Sequence, residues 1–112
     1  MSFNRNLGFR LDAEADSIVL EPLAEHEVVP GTIHFAVLAT LGEVAAAHAA
    51  AASVVPTHVS LQLLKRATPH APLEARGRVL RSGRTLIFAE GEVSQHGDLV
   101  AKVTVTFARV GG

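Results

Sequence analysis

The sequence predicts an α+β domain in which an antiparallel sheet wraps around one long central helix. Three observations lead there. Residues 35 to about 52 are good helix formers whose only polar side chains are Thr40, Glu43 and His48. A helix that is apolar nearly all round must be covered on most sides. No second helix of that length occurs, and residues 58–109 read as a succession of strands, so strands must supply the cover.

Taken in order, residues 9–16 alternate strictly, with Phe9, Leu11, Ala13 and Ala15 against Arg10, Asp12, Glu14 and Asp16, the period of a half-buried strand. Ser17 interrupts the pattern, and Ile18-Val19-Leu20 resumes as a second strand that stops at Pro22. After a polar linker, Pro30-Gly31-Thr32 supplies a turn, with Thr32 placed to cap the helix, which ends before Pro56. Residues 58–65 put Val59, Leu61 and Leu63 on one face and His58, Ser60 and Gln62 on the other. A loop at 68–72 leads to a strand at 73–81, and Ser82-Gly83 marks a hairpin into a strand at 85–95. His96-Gly97-Asp98 turns the chain into a last strand, 99–109, expected to bury Leu99, Ala101, Val103, Val105 and Phe107.

Composition narrows the function. The chain has 112 residues, 48% of them hydrophobic and 19% charged, with net charge -1 and no cysteine. That length suits a single domain over residues 1–112, and the apolar content excludes a disordered chain. Near-neutral charge argues against nucleic acid as a partner. The absence of cysteine removes disulfide frameworks, thiolate zinc sites and thiol catalysis, and fits a cytoplasmic location. No secretory signal is expected in residues 1–11, which lack a continuous apolar core. Residues 35–55 are apolar enough to suggest a membrane span, but Glu43, His48 and the lack of aromatic belts favour a buried helix of a soluble domain. The six histidines show no ligand spacing, so no metal is expected.

Glu43 is the residue that stands out. A carboxylate on an apolar helix is paired, protonated or kept for function, because burying it alone costs several kcal/mol. Desolvation would raise its pKa toward the range of a general base. The alternative is that Glu43 lies on the one solvent-facing stripe of the helix. At the helix start, the backbone N–H groups of Phe35 and Ala36 are a natural site for a developing oxyanion. Phe35 and Glu43 are eight positions apart, about 12 Å along a helix axis. That separation is too great for both to touch one reacting carbonyl within a subunit. A shared reaction therefore requires a homodimer with antiparallel helices and two sites related by the two-fold axis.

Gly31-x-x-His34, followed nine residues later by Glu43 on the central helix, resembles the motif of the hotdog-fold acyl-CoA thioesterases, in particular the phenylacetyl-CoA and 4-hydroxybenzoyl-CoA branch. The resemblance runs over residues 6–109, from the Leu7-Gly8 start through the Arg81-Ser82-Gly83-Arg84 turn. It implies that Glu43 is the base or nucleophile and that the Phe35 N–H, with Ala36 next to it, holds the carbonyl oxygen. His34 would shape the turn or shuttle a proton. Arg81, Ser82, Gly83 and Arg84 would meet the phosphates of coenzyme A, which enters as part of the substrate, not as a cofactor. Val28 is a candidate to line the substrate pocket, as are His58 and Gln62 across the dimer, the alternative for these two being a polar outer face or a subunit contact. The chain departs from the family at Phe35 and Ala36, usually both glycine, at Val28, usually Asn or Gln, and at Ala47, where Thr or Ser sometimes stands.

The expected function is therefore hydrolysis of a small or medium acyl-CoA, including aryl forms, by a homodimer or a tetramer of two such dimers. The alternatives are a non-catalytic acyl-CoA or lipid-binding or assembly module and, less favoured, a hydratase or dehydratase. The latter would use His34 with an acid, but its characteristic acid position falls near Ala36.

Overall fold

The computed structural model describes residues 7–111; residues 1–6, which make up much of the stretch read for a leader and include the first residue of the family resemblance, lie outside it. The chain runs β1 (Arg10–Asp12), β2 (Ser17–Leu20), a 3-10 turn (Ala24–His26), β3 (Glu27–Val29), β4 (Thr32–Ile33), α1 (Phe35–Ala50), β5 (Val54–Leu63), β6 (Leu73–Ser82), β7 (Leu86–Gln95) and β8 (Asp98–Arg109). Six strands form one sheet in the order β1-β2-β6-β7-β8-β5, every neighbouring pair antiparallel, while β3 and β4 form a separate small ribbon. Helix α1 lies across one face of the large sheet, as the sequence predicts, and no helix of the described residues is long and apolar enough to cross a membrane.

Alternation along the strands builds the core. On β8, Ala101, Val103, Val105 and Phe107 are buried beneath the helix, and the residues between them turn to the opposite face. From the helix, Val37, Leu38, Leu41, Ala45 and Ala46 meet them. Complete burial of side chains such as Phe107 and Leu41 stabilises by about 2–3 kcal/mol each. The approach of helix to sheet is unusually close because glycine permits it. A Cβ at Gly91 of β7 would overlap the Gly42 carbonyl of α1, and one at Gly77 of β6 would overlap the Ala45 carbonyl. A Cβ at Gly42 would in turn strike the Val103 side chain. These glycines serve close packing of helix on sheet, not turn geometry.

Several expectations need correction. The alternation at 9–16 is not one strand: β1 stops at Asp12, and residues 13–16 form a turn in which the Asp12 carboxylate accepts the Ala15 N–H (3.3 Å). Ser17 does not break a strand but begins β2, where it is buried against the Glu74 carboxylate (3.1 Å). A period-two pattern short enough to be a hairpin tip cannot be told from a strand. Thr32 does not cap α1; it lies in β4, and the helix starts beyond it at Phe35. The helix ends at Ala50, closed by Ala51 in the left-handed region (φ 52°). In β8, a bulge opposite Val93 and Ser94 turns Val100 into the core and leaves Leu99 outside.

On the face away from the helix, Glu90 is almost fully covered by ion pairs with Arg78 (3.1 Å) and Lys102 (3.5 Å) from the flanking strands. Pairing on both sides is what allows a carboxylate at the centre of that face to shed water. The packing of α1 makes a direct prediction. Gly91→Ala should lower the unfolding free energy by about 3 kcal/mol in urea titration, the cost of overpacking a tight contact, whereas Ser60→Ala on the exposed face of β5 should stay within about 0.5 kcal/mol of the parent.

Candidate functional site

The start of α1 is organised by two histidines. His34 is the N-cap, with extended backbone (φ −61°, ψ 136°), and its Nδ1 accepts the Ala36 N–H at 3.0 Å. The Val37 N–H donates to the His34 carbonyl (3.0 Å). Of the first N–H groups, that of Phe35 has no acceptor among the described residues. The helix N-terminus thus offers one open donor, at Phe35, while Ala36 N–H is engaged by its own cap. Behind this turn sits His26, buried in the loop before β3. Its Nδ1 accepts the Leu23 N–H (2.9 Å), so its Nε2 carries the proton and donates to the Leu7 carbonyl (2.9 Å). The His26 carbonyl accepts the His34 N–H (2.9 Å), which fixes the entry of the chain into the helix.

Beside the helix start is an apolar groove of about 450 Å³, lined chiefly by Ile33, Phe35, Leu38, Leu63 and Leu64, with Lys65 and Arg66 on its rim. The Phe35 side chain is 54% exposed and lies 4.7 Å, ring centre to ring centre, from His34. It forms part of the groove wall.

Glu43 lies two turns further along α1, half-buried, and forms no ion pair or hydrogen bond among the described residues. Burial raises its pKa above the ordinary carboxylate value. Its stripe of the helix, with Ala36, Ala39 and Thr40, is turned away from the sheet, while Ala47 and Ala50 further along pack partly against the core. The two readings of Glu43 therefore merge: it is on the outward stripe and is still partly desolvated.

Other predicted residues fall elsewhere. His58 and Gln62 pair with Thr106 and Lys102 on the sheet face turned away from α1, outside the groove of their own chain. Alternation gives that result once Leu61 is known to pack on the core. Val28 is exposed on the small β3–β4 ribbon and is absent from the groove wall. Arg81, Ser82, Gly83 and Arg84 form the β6–β7 turn, at the C-terminal end of α1, about 24 Å of helix away from Phe35. There Arg109 ties the turn down, donating from Nη2 to Ser82 Oγ (2.8 Å) and from Nε to the Gly83 carbonyl (3.0 Å). Arg84 shares a separate depression with Ser53, Thr85 and Arg109. Sequence reasoning missed Leu38, Leu63, Leu64, Lys65, Arg66, His26 and Arg109. The pair Leu63-Leu64, which breaks the alternation just before a dibasic step, was the legible signal for the groove rim.

The acyl-CoA thioesterase N-terminal domain family model matches residues 27–108. The chain belongs to that family. Among solved structures, this thioesterase-family chain is similar to a point mutant of the phenylacetic acid degradation protein PaaI from Thermus thermophilus, with 25% identity, TM-score 0.88, and coverage of 98% of this chain and 100% of that one. It is similar also to a phenylacetic acid degradation-related protein, a putative thioesterase from Ralstonia eutropha, with 27% identity, TM-score 0.80, and coverage of 96% and 89%. The E. coli PaaI protein superposes with TM-score 0.91 over 100% of this chain and 86% of that one, at 17% identity, and so shares the fold. No curated protein matches the sequence. The helix on a six-stranded antiparallel sheet is the hotdog fold of these thioesterase relatives.

The desolvated carboxylate has a measurable signature. A folded-state pKa above the unfolded value means that Glu43 opposes folding when ionised and stops doing so once protonated in both states. Glu43→Gln should therefore raise stability at neutral pH. The advantage should shrink as pH falls through the raised pKa and vanish below the ordinary carboxylate range, as read from unfolding curves across pH.

Proposed function

We propose that the protein hydrolyses acyl-CoA thioesters carrying a small or medium acyl group, aryl groups included, at a site shared by two copies of the chain. The observation that carries the reading is Glu43, a half-desolvated carboxylate with no cation beside it on the helix of a thioesterase-family fold. The acyl group occupies the groove at Phe35 and Leu38, whose volume suits a ring or a short chain. The thioester oxygen accepts the open Phe35 N–H, which stabilises negative charge as the carbonyl carbon becomes tetrahedral. The partner's Glu43 takes a proton from water as the water oxygen bonds to that carbon. When the C–S bond breaks, the protonated carboxyl returns its proton to the departing sulfur, giving a free acid and the thiol of coenzyme A.

Two features of the single chain support the shared site. Strand β5 is ten residues long and is paired only with β8, leaving an edge that exposes Val55, Val59 and Leu63. Such an edge invites pairing with the same strand of a second copy. The uncovered alanine-rich stripe around Glu43 is equally suited to a second helix at close range. Antiparallel helices related by a two-fold axis bring residue 35 of one copy level with residue 43 of the other.

A second reading, a non-catalytic acyl-CoA-binding module, is favoured by one observation: the Phe35 side chain stands in the groove wall where family members carry glycine. Thiol release decides between the two. With phenylacetyl-CoA and hexanoyl-CoA as probes, the parent should release thiol, and Glu43→Ala should lower kcat by at least about a hundredfold while sedimenting as the parent dimer. Heat on titration without thiol release from the parent would support the binding module instead.

A further inference from the structure

Thr40 is the only hydroxyl residue of α1, and it stands one turn before Glu43 on the same stripe. Its Oγ1 donates the hydroxyl hydrogen to the Ala36 carbonyl (2.8 Å). That bond is the usual habit of threonine inside a helix, and it leaves the oxygen as an acceptor only. Glu43, once ionised, is likewise an acceptor only. Positions three apart on a helix are surface neighbours, with Cβ atoms about 5–6 Å apart. Helical side chains also lean toward the N-terminus, which brings the Glu43 carboxylate back over the turn that holds Thr40. No direct hydrogen bond joins the two side chains among the described residues, as is expected of two acceptors. The stripe offers no other polar side chain nearby: Ala36 and Ala39 complete it, and His48, further along, is committed to Asp16 (2.9 Å).

Two neighbouring acceptors that cannot bond each other are matched by a molecule with two hydrogens to give. We propose that Thr40 and Glu43 of one helix hold the attacking water between them, which makes Thr40 a further catalytic residue of the thioester reaction. With one hydrogen on Thr40 Oγ1 and the other on the Glu43 carboxylate, a lone pair of the water points off the helix toward the groove of the other copy. In the antiparallel arrangement that sets residue 43 level with residue 35, residue 40 falls level with residue 38, and Leu38 lines that groove. The water oxygen bonds to the thioester carbon, and the carbonyl electron pair moves onto the oxygen held by the Phe35 N–H. Glu43 takes one hydrogen as a proton, while the other stays on the new hydroxyl, facing Thr40. As the carbonyl re-forms, the C–S bond breaks and the sulfur takes the proton from Glu43. This rests on the hydrolytic reading and deepens it: Glu43 acts through water, whereas direct attack by the carboxylate would leave Thr40 without a task.

Thr40→Val keeps the shape of the side chain and removes its oxygen; Thr40→Ser returns the oxygen. With phenylacetyl-CoA, Thr40→Val should lower kcat about tenfold, the worth of one hydrogen bond to the reacting water, and leave KM unchanged. Thr40→Ser should recover most of the parent kcat. The free protein gives a second readout, an NMR titration of the Glu43 carboxyl carbon. Glu43 should take up its proton at higher pH in Thr40→Val than in the parent, because the carboxylate loses a held water that donates to it, and Thr40→Ser should restore the parent midpoint. An unchanged kcat in Thr40→Val would overturn the assignment, as would a defect confined to KM or one that Thr40→Ser does not repair. If the parent releases no thiol, the hydrolytic reading fails, and the titration alone judges the pair: a midpoint raised in Thr40→Val and restored in Thr40→Ser upholds the shared water. A midpoint that does not move overturns it in either case.

Discussion

The separation between Glu43 and the open Phe35 N–H governs the rest of the structure's logic. Both groups are on one rigid helix, so their distance is set by helical rise and cannot be adjusted by loop motion. A carboxylate partly out of water and an N–H, with no cation and no acceptor for them among the described residues, are each unfavourable in isolation. In the reaction we propose, one serves as proton acceptor and the other as oxyanion donor. That proposal requires a second copy of the chain, since helical rise keeps the two groups of one copy too far apart for a single carbonyl.

The sheet positions that helix, and glycine sets how closely. Gly77 and Gly91 let helix carbonyls rest almost on strand backbone, and Gly42 makes room for the Val103 side chain, so α1 is held against rotation about its own axis. Its inward face is then Val37, Leu38, Leu41, Ala45 and Ala46, and its outward stripe is alanine with Thr40 and Glu43. Strand pairing continues the same division of labour. The strands beneath and beside the helix close the core, while β5 leaves one long edge unpaired. The single chain is thus well packed inward and leaves one helix stripe and one strand edge open.

Much of this was legible in the residues. The apolar run at 35–52 announced a central helix, and the alternation of β6, β7 and β8 announced the sheet that covers it, because both patterns are long enough to define a period. Short patterns misled. The alternation at 9–16 was a three-residue strand and a turn, and the bulge in β8 exchanged Leu99 for Val100, a one-residue shift that no local preference encodes. At the site, Glu43 and Phe35 could be named from spacing, but the identity of the cap could not, since the helix entry is decided by the hydrogen bond from the His34 N–H to the His26 carbonyl. The groove rim was missed for a similar reason: Leu63, Leu64, Lys65 and Arg66 join the helix start only through tertiary packing.

The most direct test of a shared site uses two defective chains together. Phe35→Pro removes the open N–H at the first helical position, where proline is tolerated, and Glu43→Ala removes the carboxylate. Each variant alone should be inactive toward phenylacetyl-CoA. Heterodimers formed from the two should carry one intact site, with an N–H from the Glu43→Ala chain and a carboxylate from the Phe35→Pro chain, and should recover about half the parent kcat per dimer, as two-fold symmetry requires. Heterodimers as inactive as either homodimer would contradict a site built from both subunits.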